Sequence, residues 1–459
     1  MALASERPEA QSRSGMSSED RRVLAGTMVG TTIEWYDFFI FAQAAGIVFA
    51  SLYFGPLNDD SPGLAQLVSW ATIGVSFFFR PLGAVIAGRL GDRIGRKAML
   101  VFTLMLMGSA TALIGLLPTY AQIGVWAPIM LVLLRILQGF SAGGEWGGAA
   151  LMAVEHAPLM KRGFWGAYPQ IGVPVGMILA TLVLFVLRSS MSEEAFLAWG
   201  WRIPFLLSVV LIVVGYFIRI AVAESPVFQR MIERKRDTAT PLRNLLKTNK
   251  KQVVLAAVIF IGNNAAGYLV IAFLSSYAQR ALGMPAAPVL LATLLASFGW
   301  LIFTLYGGIL SDRIGRVRTF QIGYGLIFVW MMPMFMMIDT RNVWAYGIGI
   351  FVLTIGLGLS YGPMSAMYAE MFPANVRYSG IGIGYALGAI LGGAFAALIA
   401  QALLDATGWS GSIALYIMAL SAISFIGVSM VKETKGAPLE AEDHDAHSVG
   451  TAPDDARRP

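Results

Sequence analysis

The chain has 459 residues, of which 57% are hydrophobic and 13% charged, where an average soluble domain is roughly 25% charged; this excludes an ordinary soluble globular protein and indicates one that crosses a membrane many times. Cysteine is absent, which excludes disulfides, a thiol nucleophile and a thiolate metal site. The net charge of +6 would suggest an anionic partner in a soluble protein, but in a membrane protein the distribution of charge along the chain matters more than its total.

Residues 1–22 are polar and lack an apolar core, so they are read as a cytoplasmic tail and not as a cleaved signal peptide. The first apolar run, Val23 to Phe54, contains Glu34 and Asp37, which share one helical face at i, i+3. A carboxylate inside a membrane is costly and is by default a functional candidate with a partner. A bland reading, in which the acid lies near the interface and stays wet, fits Glu34 better than Asp37. The second run, Leu64 to Ala87, has Arg80 just before Pro81, where snorkelling, structural pairing and substrate contact are all open.

Between the second and third runs lies Gly88-Arg-Leu-Gly-Asp92-Arg93-Ile-Gly95-Arg96-Lys97, too charged to lie in hydrocarbon and of the basic kind that stays in the cytoplasm. It recurs as Gly308 to Arg316, with Asp312, Arg313, Gly315 and Arg316 matching Asp92, Arg93, Gly95 and Arg96 at one constant offset. Glu155, Pro158 and Arg162 likewise match Glu370, Pro373 and Arg377. The chain therefore reads as two similar halves.

The third run, Ala98 to Leu117, has no ionisable group and reads as scaffold. In the fourth, Ile123 to about Val154, Arg135, Gln138, Ala142 and Glu145 share one face, while Gly139, Gly143 and Gly147 form a small-residue ridge. Arg135 needs a carboxylate, a substrate anion or water beside it. The fifth run, Phe164 to Leu187, carries Tyr168 and Gln170; the sixth, Trp201 to Ala223, has Arg219 near its end, where snorkelling is the simpler reading.

Residues 224–251 form a basic connector, expected in the cytoplasm and suited to anionic lipid in preference to nucleic acid. Six more runs follow, at 252–278, 288–310, 319–338, 343–368, 378–402 and 411–431, each reaching the ~20 residues needed to span a bilayer. Their uncharged polar candidates are Asn263, Asn264, Tyr268, Trp300, Tyr361 and Ser365, and Gly380, Gly384, Gly388 and Gly392 repeat every fourth residue as a bare ridge where a neighbouring helix can approach or slide, a candidate moving interface. Residues 432–459 are polar and read as a short disordered tail.

Lys and Arg concentrate in the segments assigned to the cytoplasm. Only Arg188, Arg202, Arg280 and Arg341 fall at the opposite face, and Arg80, Arg135 and Arg219 within runs. The expected architecture is an all-α membrane protein of twelve helices: a tail (1–22), a six-helix bundle (23–223), a linker (224–251), a second six-helix bundle (252–431) and a tail (432–459). A substrate site is expected between the bundles near the midplane.

The loop Gly88-x-Leu90-x-Asp92-Arg93-x-Gly95-Arg96-Lys97 and its copy resemble the signature of the major facilitator superfamily. Arg135-x-x-Gln138-Gly139 resembles its fourth-helix motif, and Glu224-Ser225-Pro226 and Glu433-Thr434-Lys435-Gly436 are similar to segments closing each half in its sugar-porter-like branches. Glu34-Trp35-Tyr36-Asp37-Phe38, Gly143-Gly144-Glu145-Trp146-Gly147 and Gly200-Trp201-Arg202-Ile203-Pro204-Phe205 resemble the narrower metabolite:proton symporter family, which includes carriers for shikimate, 2-oxoglutarate, citrate and zwitterionic osmolytes. The resemblance implies a twelve-helix transporter working by alternating access. It also implies that Gly88, Asp92, Arg93, Gly95, Arg96, Asp312, Arg313 and Arg316 gate the cytoplasmic side, with Asp92 meeting the start of the eleventh helix near Ser379 and Gly380. The first-helix acid would pair with the fourth-helix arginine.

From the residues, an enzyme is not expected. His156, His444 and His447 all lie outside the middle of the runs, and no Gly-Lys dipeptide offers a phosphate loop. With no imidazole available, Asp37 first and Glu34 second are the candidates for the coupling proton, with Arg135 beside them. The substrate is expected to be a small organic carboxylate bound by Arg135, Gln138, Glu145, Tyr168, Gln170, Asn263, Asn264, Tyr268, Trp300, Tyr361 and Ser365. A proton-coupled betaine or proline carrier, a non-coupled facilitator and a transporter-like sensor are the alternatives. The expected partners are an organic acid, a proton and the lipid bilayer, with no nucleic acid; the chain is expected to be a monomer without cofactor or metal.

Overall fold

Hydrocarbon offers no partner for a backbone N–H or C=O, so each long apolar run has to satisfy its own peptide groups as a helix. A computed structural model describes residues 18–94, 96–143, 145–221, 248–373, 376–437 and 439, with the backbone alone at 18–20, 57–59, 62, 84–85, 87–94, 96–100, 218–221 and 378. Ten helices among these are long and apolar enough to cross a membrane. They are α1 (Arg21–Leu52), α4 (Trp126–Glu155), α5 (Leu159–Ser190), α6 (Gly200–Phe217), α7 (Lys250–Ala281), α8 (Ala286–Ile314), α9 (Arg316–Ile338), α10 (Val343–Met371), α11 (Ser379–Thr407) and α12 (Gly411–Ser429). Two more, α2 (Pro62–Ile94) and α3 (Arg96–Leu116), complete the twelve expected runs.

Burial separates the helices by role. In α1 and α7, 83% of the most apolar stretch is buried, against 39% in α6 and α9. The first helix of each half is therefore enclosed by protein, while the others turn residues such as Phe217, Val329, Met336 and Trp344 outward. In water such side chains would form adhesive patches; against lipid they are matched to their solvent.

Both central helices loosen at corresponding places. α1 widens to a π-helix at Ala45–Phe49 and α7 at Leu269–Phe273 and again at Tyr277–Ala281. A π segment disturbs the regular i→i−4 ladder and is frequent at functional sites. Here carbonyls of the first segment are taken by side chains: Ala45 O accepts from Gln66 and Ser69, and Gly46 O from Ser276.

The Gly-Trp-Arg-Ile-Pro-Phe motif ties three helices together. Arg202 donates to the carbonyls of Gly115 and Leu117 at 2.9 and 2.7 Å, placing a cation on the C-terminal end of α3, and Tyr36 of α1 donates to Pro204 O at 2.8 Å.

The glycine ridge of α11 is where a neighbouring helix, α7 of the same half, approaches closely: a Cβ at Gly384, Gly388 or Gly392 would meet Ala256, Ala257 O or Ile261 O within 2.7 Å. Two expectations are corrected. Helix α7 already starts at Lys250, within the segment read as connector. The first residues of the segment read as a disordered tail are held, because Glu433 accepts from the N–H groups of Arg316 and Val317 at 2.9 and 3.1 Å, while residues 440–459 lie outside the described residues.

Candidate functional site

Asp37 lies in the middle of α1 with no exposed surface. Ser208 of α6 donates to its Oδ1 at 2.6 Å and Thr111 of α3 to its Oδ2 at 2.9 Å. The Thr111 hydroxyl has a second acceptor, Met107 O, also at 2.9 Å, and itself accepts from Gln138 Nε2 at 2.7 Å. Gln138 Oε1 in turn accepts from Arg135 Nη1 at 3.0 Å. The expected acid and arginine are thus joined, but through Gln138 and Thr111 and not by a direct ion pair: among the described residues the ion pairs involve neither Asp37 nor Arg135. Intervening hydroxyl and amide groups space them apart. Helix α3 is thus more than scaffold, and Gln138 has both ends of its amide engaged as the link between Thr111 and Arg135.

Two buried arginines rest on aromatic rings. Arg135 lies over Phe38 and Phe41, 4.2 and 4.0 Å from their centroids. Arg80 lies over Phe77, Phe38 and Trp35 at 4.5, 5.2 and 5.8 Å. A ring face stabilises a buried cation without neutralising it. The second half joins here through Tyr268 of α7, whose ring contacts Phe38 and Phe77, each at 5.4 Å, and Trp35 at 6.4 Å. Beside them Trp146 of α4 stacks on Tyr385 of α11 at 3.8 Å, and Tyr385 on Phe260 of α7 at 4.5 Å. Gln170 of α5 bridges the halves too, accepting from Trp146 Nε1 at 2.9 Å and donating to Tyr361 O at 3.3 Å.

Both ends of this centre are closed. At the end carrying the α8–α9 loop, called the loop end, Asp312 accepts from the N–H groups of Gly163 and Phe164, both at 2.8 Å, where α5 begins. Arg316 bridges Asp312 at 2.7 Å and Glu370 at 3.2 Å, and Arg162 lies 3.7 Å from Glu370. Helices α5 and α8 approach so closely that a Cβ at Gly163 would sit 2.5 Å from Gly308 O. Gly315 turns the chain with φ +102°, a left-handed conformation natural to glycine, and a Cβ there would strike the Glu433 carboxylate at 2.4 Å. At the far end Arg280 of α7 donates to Gln66 Oε1 and Ile47 O, both at 2.6 Å, and Ser276 to Gly46 O at 3.1 Å.

Most sequence-predicted residues assemble, and a few do not. Glu34 and Glu145 are buried, which removes the wet-interface reading of Glu34. Tyr268 and Ser365 are buried with hydroxyls lacking hydrogen-bond partners among the described residues, and Trp300 has its indole N–H in the same condition; the buried Tyr361 hydroxyl lies within hydrogen-bonding reach of that of Tyr385. Asn264 is buried beside Gly393. Asn263 is spent on structure, donating to Leu357 O and Ser360 Oγ at 3.0 and 2.8 Å. Tyr168 faces away, packing with Phe164, Leu24 and Trp165 in a separate cluster, because it falls off the helical face that carries Gln170. Arg313 is exposed. Gly95, and the side-chain surroundings of Gly88, Asp92, Arg93, Arg96 and Arg219, lie outside the described residues.

Thr111, Ser208, Arg280 and the Trp146–Tyr385 stack were not singled out from the sequence. A hydroxyl in an apolar run carries no distinguishing signal, since most such groups bond back to their own helix. Glu370 and Arg162 had a usable signal in their repeat partners Glu155 and Arg377.

The model of the Major Facilitator Superfamily matches residues 27–397. The inner membrane metabolite transport protein YhjE of Escherichia coli K12 is 37% identical over 91% of this chain and 95% of its own. The shikimate transporter of the same organism is 36% identical over 92% and 96%, and the glycine betaine/proline/ectoine/pipecolic acid transporter OusA of Dickeya dadantii 31% over 92% and 85%. Among solved structures, the proton:xylose symporter XylE bound to 6-bromo-6-deoxy-D-glucose superposes with a TM-score of 0.75 at 18% identity, covering 92% of this chain and 98% of that one, which establishes likeness of fold. With twelve helices, a repeated loop signature and a site enclosed between halves, the chain is a multi-pass secondary transporter, not an enzyme, and belongs to the Major Facilitator Superfamily.

Proposed function

We propose that this transporter is a proton symporter for a small organic carboxylate, hydroxylated or carrying a keto group, with Asp37 as the proton site and Glu34 as second candidate. The supporting observation is the path Asp37–Thr111–Gln138–Arg135. An ionised carboxylate only accepts, and both hydroxyl neighbours donate to Asp37. A proton on Asp37 would free the Thr111 hydroxyl to turn to Met107 O, its other acceptor. That turn reorients the oxygen on which Gln138 rests, and with it the arginine. Closure at both ends fits an occluded stage of alternating access, in which the bundles 23–223 and 252–431 rock about the enclosed site. In this reading the chain acts as a monomer in a bacterial-type inner membrane, with the loop end, both termini and the 224–251 linker in the cytoplasm. Asp92 would gate the same side by meeting the start of α11.

Wild type and Asp37→Asn are to be compared for accumulation of labelled shikimate and 2-oxoglutarate in vesicles with an imposed pH gradient. Wild type is expected to concentrate the acid and the variant only to equilibrate it; gradient-driven accumulation by Asp37→Asn sinks the assignment. A second reading, transport of a zwitterion such as betaine, draws on the rings of Trp35, Phe38 and Tyr268, which would suit a quaternary ammonium. Saturable betaine uptake without acid uptake selects it.

A further inference from the structure

Arg135 is the arginine that sequence reasoning assigned to the substrate, yet its surroundings fit that task poorly. It has no exposed surface and one of its η nitrogens is committed to Gln138, while its Nε and other η nitrogen lack partners among the described residues. Arg80 differs in exposure and in place, because all three rings beneath it also contact Tyr268 of the other half. It retains 4% exposure, and among the described residues no carboxylate ion-pairs with it. Three ring faces hold the cation in place, and its Nε has no hydrogen-bond partner among the described residues. Tyr268, from the other half, packs its ring on the same three rings that carry Arg80, and its hydroxyl has no hydrogen-bond partner among the described residues. Among the described residues the Ser365 hydroxyl is in the same condition, and the hydroxyls of Tyr361 and Tyr385 lie within hydrogen-bonding reach of each other. Buried donors without partners are costly, and they recur where a ligand completes them.

We propose that Arg80 and the Tyr268 hydroxyl form the anchor for the substrate carboxylate, leaving Arg135 to report the state of Asp37. This rests on the reading above that the substrate is a carboxylate. The anchor takes one residue from each half, so a bound acid draws α2 and α7 together. The Ser365 hydroxyl and the neighbouring hydroxyl pair of Tyr361 and Tyr385 suit hydroxyl or keto groups on the remainder of the molecule. The favoured class is thus a hydroxylated or oxo acid with its carboxylate free. A guanidinium matches a carboxylate with two hydrogen bonds, which an ammonium cannot reproduce.

The test uses the purified full chain in liposomes with an inwardly directed proton gradient, supplied with labelled shikimate or 2-oxoglutarate. Arg80→Lys and Arg80→Gln are expected to raise KM about tenfold or more while the maximal rate stays within about threefold, and Tyr268→Phe to raise KM several-fold. Arg135→Lys is expected to show the reverse, a lower maximal rate with KM little changed. Shikimate methyl ester, which lacks the anion, should not compete in wild type, and the shikimate-induced thermal shift of the purified protein should shrink in the Arg80 variants. An unchanged KM in both Arg80 variants, or a fall in rate alone, overturns the proposal. Should the Arg80 variants fail to fold, an unchanged KM in Tyr268→Phe overturns it instead. Wild type that carries betaine and neither acid defeats the carboxylate reading as a whole, whereas wild-type acid uptake with insensitive variants defeats only this anchor.

Discussion

Asp312, in the second half of the chain, accepts the backbone N–H of Gly163, in the first, at 2.8 Å. The neighbouring amide of Phe164 completes the pair, so a carboxylate from one half sits on the N-terminal end of a helix from the other. An anion is favoured there by the helix dipole and by the unpaired N–H groups of the first turn. The bonds break whenever the halves part at this end.

Replacing Asp312 by Asn keeps the shape and removes the charge, so loop-end closure is expected to weaken by about 1–3 kcal/mol. The cysteine-free chain makes this easy to read. A single cysteine at Ala366, buried on α10 where Gly166 of α5 approaches, should react with a soluble thiol reagent at least about fivefold faster in Asp312→Asn. Equal labelling rates would show that Asp312 does not hold this end shut.

Arg280 plays the corresponding part at the far end, through Gln66 and Ile47 O. Arg280→Gln shortens the side chain and removes the charge-assisted bonds, each worth about 1.5–3 kcal/mol. A cysteine at Ala272, in the π segment of α7, is expected to become more reactive from that side and no more reactive from the other. Increased reactivity from both sides would indicate general loosening of the fold.

Thr111 should tolerate Ser and not Val. Valine keeps the volume but offers no hydroxyl to Asp37 or Gln138, and a buried carboxylate that loses a donor is destabilised in its charged form. Gradient-driven uptake is expected to fall about tenfold or more in Thr111→Val and to be largely retained in Thr111→Ser. Full activity in Thr111→Val would remove the link from the coupling path.

Orientation is checked most simply at Thr240, in the basic connector. A cysteine placed there should resist a membrane-impermeant reagent in intact cells and react once the cells are opened. Labelling in intact cells would invert the topology.

The fold was legible because its signal is long and repeated. Twelve apolar runs separated by charged loops leave few alternatives, and the copies of Asp92 and Glu155 at Asp312 and Glu370 reveal the halves. The pairing of Arg135 with Gln138 was legible as well, since i, i+3 spacing places both on one face. The partners of Asp37 were not, for they lie 74 and 171 residues away in apolar runs that differ little from their neighbours. Polar character alone did not show that the Asn263 amide donates to the helix turn at Leu357, nor that Tyr168 packs in a different cluster. Arg80 could not be resolved because the sequence does not say which rings lie beneath a guanidinium.

Arg162 and Arg377 hold the segment after Glu433 by its main chain, donating to Ala437 O at 2.6 Å and Leu439 O at 2.9 Å. Both acceptors are main-chain carbonyls, so what the two guanidinium groups measure is how far the chain has travelled beyond Glu433. Changing the letter at 437 should leave its bond intact, whereas Leu439 also packs its side chain against the core. Inserting or deleting one residue between Glu433 and Ala437 moves both acceptors by ~3.3 Å, out of reach of their donors, so at this latch the spacing is constrained more tightly than the spelling.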